Sequence, residues 1–245
     1  MKPLGLAVFA FVLGIHATVA APVCADKIFE TTRFTVCVAN TARQDVRLTW
    51  TDSKNVPLRS FARLATAFGP DAGHVQFAMN AGMFDERGAP IGLYVENGFT
   101  RAPLNTRTGD GNFYLKPNGV FWIAGDGALG LETTERYVSG NRAPQWATQS
   151  GPMLVIDGEI NPQIAPDGPS KYIRNGVCVR DPHTAFFAVS DEPVSFGRLA
   201  RFFRDVQGCS SALYLDGAIS SLWAPSLARE DDAHLLGPMI VVLSR

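Results

Sequence analysis

ALYLDGAISSLW, residues 212–223, runs from a short apolar segment into an acidic residue and a glycine, then into small hydroxyl side chains and a tryptophan. An apolar run closed by Asp-Gly has the length and punctuation of a buried strand meeting a turn. Just ahead of it, in SFGRLARFFRDVQG, residues 195–208, Phe196, Leu199, Phe202, Phe203 and Val206 recur at helical spacing between a Ser195 N-cap and a terminal Gly208. A helix that leads through Gln207, Gly208 and Cys209 into a strand implies helix packed on sheet. It also delivers Asp216 to a strand end beside a helix layer. Taken alone, Asp216-Gly217 is more readily a turn than a reactive site.

Similar apolar runs recur along the chain: RFTVCVA (33–39), DVRLTW (45–50), HVQFAM (74–79), IGLYVE (91–96), NFYLK (112–116), GVFWIA (119–124), PMLVI (152–156), GVCV (176–179), TAFFAVS (184–190) and PMIVVL (238–243). Most are bounded by Gly, Pro, Asn or Asp, as strands and their turns are. One further helix is expected in PLRSFARLATAFGP (57–70), where Leu58, Phe61, Leu64 and Phe68 share a face and Gly69-Pro70 ends it. Strands outnumber helices, which predicts an α+β fold: a mostly antiparallel or mixed β-sheet core with a few packed helices, forming a single domain over residues 22–245.

The first 21 residues combine Lys2, an apolar run from Leu4 to Ile15 and small residues at Ala17, Thr18, Ala20 and Ala21. That is the pattern of a signal peptide cleaved near Ala20 or Ala21, too short in its apolar part to span a bilayer, so an exported, periplasmic or secreted protein is expected. Removing Lys2 takes the formal charge from −1 to −2, with no field to draw in nucleic acid or an anionic membrane surface. Of 22 basic residues, 17 are Arg, the side chain whose planar fork suits phosphate and carboxylate.

Cys24, Cys37, Cys178 and Cys209 all remain after that cleavage, and an oxidising compartment permits disulfides. Cys24 with Cys37 would clip an N-terminal loop onto the strand TVCVA; Cys178 and Cys209 either pair or stay buried as thiols. No cysteine spacing fits zinc, and neither a metal nor another cofactor is expected. GxSxG, HExxH and Gly-rich phosphate loops are absent, and His74, His183 and His234 lack an obvious partner in sequence.

What remains is a set of polar residues in Gly-rich turns at strand ends: AMNAGMFD (78–85), NTRTGDGNFYLKPNGVF (105–121), TQSGPMLVIDG (148–158), RNGVCVRD (174–181) and LDGAISS (215–221). Glycine lets backbone amides approach a ligand, so five such ends can converge on one polar cleft. Together, MNAGMFDERGAPIGLYVENG, GNFYLKPNGVFWI, ATQSGPMLVIDGEI, RNGVCVRD and CSSALYLDGAISSLWAP resemble the phosphodiester glycosidase family, in particular its exported bacterial members, over about Phe34 to Val242.

The resemblance implies a hydrolase for sugars linked through a phosphodiester. It implies that Asn80, Gly82, Ser150, Gly151, Arg174, Asn175, Asp216, Gly217 and Ser220 line the site. Two residues depart from the family's LDGGGSS: Ala218 and Ile219 replace glycines. Arg174-Asn175 stands for Arg-Thr, and Cys178 for a glycine. These changes bear on which sugar is taken.

A sugar-1-phosphodiester releases a stable phosphate monoester, so a proton-donating acid contributes little and a cation that holds the phosphate contributes more. On that logic Asp216 is the expected nucleophile or general base, with Arg174 as the phosphate clamp. Asn80, Ser220 and the backbone amides near Gly151 and Gly217 would bind hydroxyls or phosphate oxygens. Asp85, Asp110 and Asp181 are candidates for a second carboxylate, Asp110 first among them. Trp223 is a candidate to stack on a sugar, whereas Tyr214, inside the strand, is expected in the core. The expected partner is a glycan-phosphate substrate. A glycan-phosphate binding or exopolysaccharide assembly protein, with the pocket but no turnover, is the alternative.

Overall fold

Period-two alternation sets the layers. In the strand Met239–Ser244, Ile240 and Val242 face one hydrophobic cluster while Met239, Val241 and Leu243 face another. In Thr184–Ser190, Phe187 and Val189 turn to the first of these clusters, and Phe186 and Ala188 turn to a third. Both faces of these strands are covered, which is why each reads as one unbroken apolar run.

The computed structural model describes residues 22–245, so the expected signal segment 1–21 lies outside the described residues. Three sheets form, and every strand pairing in them is antiparallel. The first has the order Cys24–Phe29, Thr32–Asn40, Thr184–Ser190, Asn175–Asp181, Ser211–Tyr214, Met153–Ile156, Glu159–Ile160. The second runs Arg229–Glu230, Leu222–Ala224, Val75–Asn80, Met239–Ser244, Gln44–Thr49. The third runs Phe99–Ala102, Tyr94–Glu96, Pro144–Ser150, Gly119–Ala124, Leu129–Thr133. All three face a common core, in which the Phe187 ring lies 5.5 Å from Phe77 of the second sheet and 5.8 Å from Phe121 of the third. Each buried phenyl contributes roughly 1.5–3 kcal/mol. The expected α+β, single-domain fold is therefore present.

Helices cover the outer faces. Ser60 caps Phe61–Phe68 by accepting from Arg63 N, and Gly69 closes it at φ 55°; Phe61 and Leu64 pack on the second sheet with Leu58, which lies just ahead of the helix. Ser195 caps Phe196–Arg201 as its sequence implies, but the chain then widens into a π-turn over Phe202–Val206. That winding keeps Phe202 and Phe203 on the first sheet and shifts the phase, so Val206 is exposed instead of completing the apolar stripe.

Other departures concern ends and edges. NFYLK forms a 3-10 turn, Asn112–Tyr114, that buries Phe113, not a strand. The segment expected to be an N-terminal loop is the edge strand Cys24–Phe29, and Cys24 bonds to Cys37 directly opposite in register. Cys178 and Cys209 form the second disulfide.

The crossings between sheets place the site. Residues 215–221 carry the chain from Ser211–Tyr214 in the first sheet to Leu222–Ala224 in the second. Residues 151–152 carry it from the third sheet into the first; Val75–Asn80 ends beside the first crossing, and Gly82 just after it bonds to Thr148 near the second.

Candidate active site

Leu213 and Leu215 point into the common core, while Ala212 and Tyr214 point to the helix-covered face. Asp216 follows Tyr214 by two residues in extended chain, so it continues that second face past the strand end. Gly176 is opposite Tyr214, and Leu215 N donates to Asn175 O at 3.2 Å. The next pair in this register is Arg174 with Asp216.

A hydrogen-bonded cluster joins the two sheets here. Asn80 Nδ2 donates to the backbone carbonyl of Asp216 at 2.8 Å. Asn80 Oδ1 accepts from Ser221 N at 2.8 Å and from Asn175 Nδ2 at 2.9 Å. Ser220 Oγ donates to the carbonyls of Ile173 and Gly217, both at 3.2 Å. Asn80 and Asn175 are buried with these bonds made. They fix the 216–221 crossing, whereas Ser220 remains partly exposed.

Arg174 is inside the protein, fully buried, where the expectation of a phosphate clamp needs an accessible guanidinium. Its Nε donates to Val194 O at 2.8 Å, and Nη2 donates to Ser170 O and Oγ at 3.0 Å each. Nη1 has no hydrogen-bond partner, and among the described residues no carboxylate comes within ion-pair distance of this cation. The guanidinium carbon lies 3.7 Å over the Phe196 ring, 5.2 Å from that of Tyr214 and 5.4 Å from that of Tyr172. Burial pulls its pKa below the usual arginine value, and neighbouring Tyr214 and Tyr172 act the other way. An aromatic cage thus holds a positive charge that no anion among the described residues neutralises.

Asp216 is partly exposed at the strand end. Desolvation raises its carboxyl pKa to about 6, against the lowering effect of the Ala218 amide. Gly217 lies against Tyr214: a Cβ at 217 would overlap the phenol hydroxyl. Glycine is therefore required by proximity and not by a positive φ. The two departures that follow it have structural accounts. Ala218 is exposed, and Ile219 packs away from Asp216 with Phe61, Leu64 and Trp223 under the helix.

The remaining expected site residues form a second group. Gly82 N donates to Thr148 Oγ1 at 3.2 Å, and a Cβ there would overlap the Gln149 carbonyl. Ser150 is buried with an unpartnered Oγ, and Gly151 abuts the Phe113 carbonyl and Asn118. Pro152 O accepts from Tyr214 N at 3.1 Å, which ties this group to the first. Asp110 is exposed on its loop and makes no hydrogen bond or ion pair with either group, among the described residues. Asp85 closes its own turn by accepting from Arg87 N and Ala89 N. Asp181 ends the strand that begins at Asn175, about 20 Å away at strand rise. Trp223 stands half-buried against Phe61 at 6.3 Å.

Three residues that sequence reasoning passed over brace the crossing. Asp231 accepts from Leu222 N at 2.9 Å and pairs with Arg229 at 3.0 Å, and Arg229 reaches Asp191 at 2.9 Å. Their signal is only a charged run, which resembles any solvated loop.

The phosphodiester glycosidase family matches residues 73–242, and the chain belongs to it. It is 42% identical over 151 residues to the protein described as "Uncharacterized protein YigE" of Escherichia coli K12, an alignment covering 62% of this chain and 59% of that one. Among solved structures it is similar to the zebrafish N-acetylglucosamine-1-phosphodiester alpha-N-acetylglucosaminidase catalytic domain, auto-inhibited by its pro-peptide. That match has a TM-score of 0.61 at 13% identity and covers 94% of this chain and 85% of that one. A hypothetical protein from Synechocystis matches with a TM-score of 0.55 at 12% identity, over 91% and 61% of the two chains. At such identities the structures share the fold alone.

Proposed function

We propose that the protein is a hydrolase that releases a sugar from a phosphodiester at its anomeric carbon, with Asp216 as the nucleophile or as the base that activates water. The observation that carries this reading is Asp216 itself: a partly exposed carboxylate at a strand end, free of any cation partner among the described residues, with a pKa of about 6. A carboxylate tied up in an ion pair is a poorer base and nucleophile.

The other residues take supporting roles in this reading. Asn80 and Asn175 hold the Asp216 backbone, while Ser220 and the Gly217 and Gly151 backbone meet the substrate. Arg174 supplies positive potential from behind the site wall, worth more there than in water. A phosphate leaving group explains why one carboxylate suffices where ordinary glycosidases use two. Two disulfides and the sequence pattern of residues 1–21 support export to an oxidising compartment. No helix among the described residues is long and apolar enough to cross a membrane.

A non-catalytic binding role would be favoured if Ala218 and Ile219, standing for two glycines, narrowed the pocket. Ile219 packs against the cluster of the helix and the second sheet, which favours the hydrolase reading. The test is release of phosphate monoester or sugar from a panel of sugar-1-phosphodiesters, with binding measured in parallel. Turnover of at least one diester, lost in Asp216→Asn, is expected; tight binding without turnover across the panel would return the binding role.

A further inference from the structure

A rigidly held aromatic ring stands in water on the face where Asp216 emerges, and we propose that this residue, Tyr172, is the platform on which the sugar ring of the substrate stacks. The proposal rests on the hydrolase reading above and adds the contact that recognises the sugar.

Arg174 falls opposite Asp216 when the Gly176–Tyr214 register is continued, and alternation puts Tyr172 on the same face as Arg174. The two chain segments still run side by side there, because Ser220 Oγ donates to the carbonyls of both Ile173 and Gly217 at 3.2 Å. Tyr172 and Asp216 are therefore diagonal neighbours, a relation that spans about 7–8 Å and is within reach of an aromatic side chain.

Of the three rings around the Arg174 guanidinium, Tyr214 is buried and Phe196 half-buried, whereas Tyr172 is 59% exposed. Ile173 beside it is 42% exposed, so apolar surface gathers at this rim. The backbone beneath is fixed: Tyr172 N donates to Val194 O at 3.3 Å, and Val194 N donates to Tyr172 O at 2.8 Å. Arg174 fastens the same segment, with Nε on the Val194 carbonyl and Nη2 on Ser170. A ligand that docks on Tyr172 thus has little backbone left to order.

A pyranose presents C–H groups on its faces and hydroxyls around its rim. An aromatic face covers the first and a few polar groups take the second, the usual make-up of a small-ligand site. With Asp216 at the anomeric carbon, the rest of the sugar extends over the neighbouring surface, where Tyr172 stands exposed. Trp223, the ring expected from the sequence to stack on a sugar, packs instead against Phe61 and the cluster under the helix.

On a methyl diester of a hexose 1-phosphate, Tyr172→Ala and Tyr172→Leu should each raise KM roughly 5- to 30-fold with kcat within about threefold, as loss of a contact made equally in ground and transition states does. Tyr172→Phe and Tyr172→Trp keep a flat face and should stay within about threefold of wild type. The Leu variant still shields Arg174, so a residue that only covers the cation would leave KM unchanged there. A KM rise below about threefold in the Ala or Leu variant, or a loss in Phe equal to that in Ala, overturns the platform. Thermal melts check folding, and if the Ala variant does not fold, the Leu and Phe variants decide alone. If wild type cleaves no diester, the hydrolase reading fails, and calorimetry with glucose 1-phosphate, N-acetylglucosamine 1-phosphate and methyl phosphate decides Tyr172 separately. A sugar phosphate that binds wild type and binds the Leu variant at least about fivefold more weakly, with methyl phosphate unchanged, sustains the platform. No sugar phosphate bound by wild type, a smaller weakening, or an equal weakening of methyl phosphate overturns it.

Discussion

Arg174 and Asp216 fall opposite each other when the register is continued two residues beyond the Gly176–Tyr214 pair, yet the two opposite charges form no ion pair. The arginine turns inward to Val194, Ser170 and Phe196, while the aspartate stays partly exposed and bonds to the Ala218 amide. Cross-strand charges so placed normally bond, and keeping them apart leaves each with unspent electrostatic capacity.

Asp216→Asn should lower turnover of any accepted diester by at least about a thousandfold while the fold persists, since the carboxylate bonds only to its own turn. Steady-state kinetics with a thermal melt of each variant checks this. Activity within tenfold of wild type removes Asp216 from the chemistry.

The same substitution should stabilise the protein at neutral pH. The folded-state pKa of Asp216, about 6, stands above the ordinary aspartate value of 3.8. The folded chain thus holds this proton more tightly than the unfolded one, and stability falls as pH rises from about 4 through 6. At pH 7.5 the Asn variant should be more stable by about 1–3 kcal/mol, several degrees in Tm, and the gain should vanish near pH 4. A gain that persists at pH 4 refutes this account.

Catalysis needs the ionised carboxylate, so kcat/KM should rise with pH through about 6 and then level. A pH profile on one substrate shows it. A limb centred near 4 would mean that Asp216 is solvated as an ordinary aspartate.

Much of this was legible in the sequence. Asp216 at a strand end, the Ser195 cap and the apolar runs in the interior of the sheets all follow from local pattern. Edges did not show: Cys24–Phe29 and Phe99–Ala102 mix polar and apolar residues without burying a regular face. NFYLK misled because one buried ring, Phe113, needs only a turn to hold it. The depth of Arg174 was hidden as well, because a residue's type and its motif do not tell which way a long side chain turns. Tyr214 reads as core by alternation, and its ring is indeed buried; only the neighbouring Gly217 marks where its hydroxyl ends.

Gly217→Ala should drive a methyl group into the Tyr214 hydroxyl. The cost should be about 1–3 kcal/mol of stability with a large loss of activity. Combining it with Tyr214→Phe should recover part of the stability, because the overlapping oxygen is gone. Denaturant melts of both variants and the pair test this; strict additivity would show that the two sites do not touch.

Asn80→Ala deletes the bonds to Asp216, Asn175 and Ser221 together. A stability loss of about 2–4 kcal/mol is expected, with kcat falling more than KM rises, because the crossing loses its register and not its contact surface. Equal stability of variant and wild type in urea would contradict this role.

Since Asn80, Asn175 and Asp216 meet only where separate sheets dock, no hairpin or fragment of the chain contains the site. During refolding, circular dichroism should recover before activity does, and the delay between them measures the docking step. The chain therefore carries its own timer: it is silent toward substrate until the last long-range contacts close.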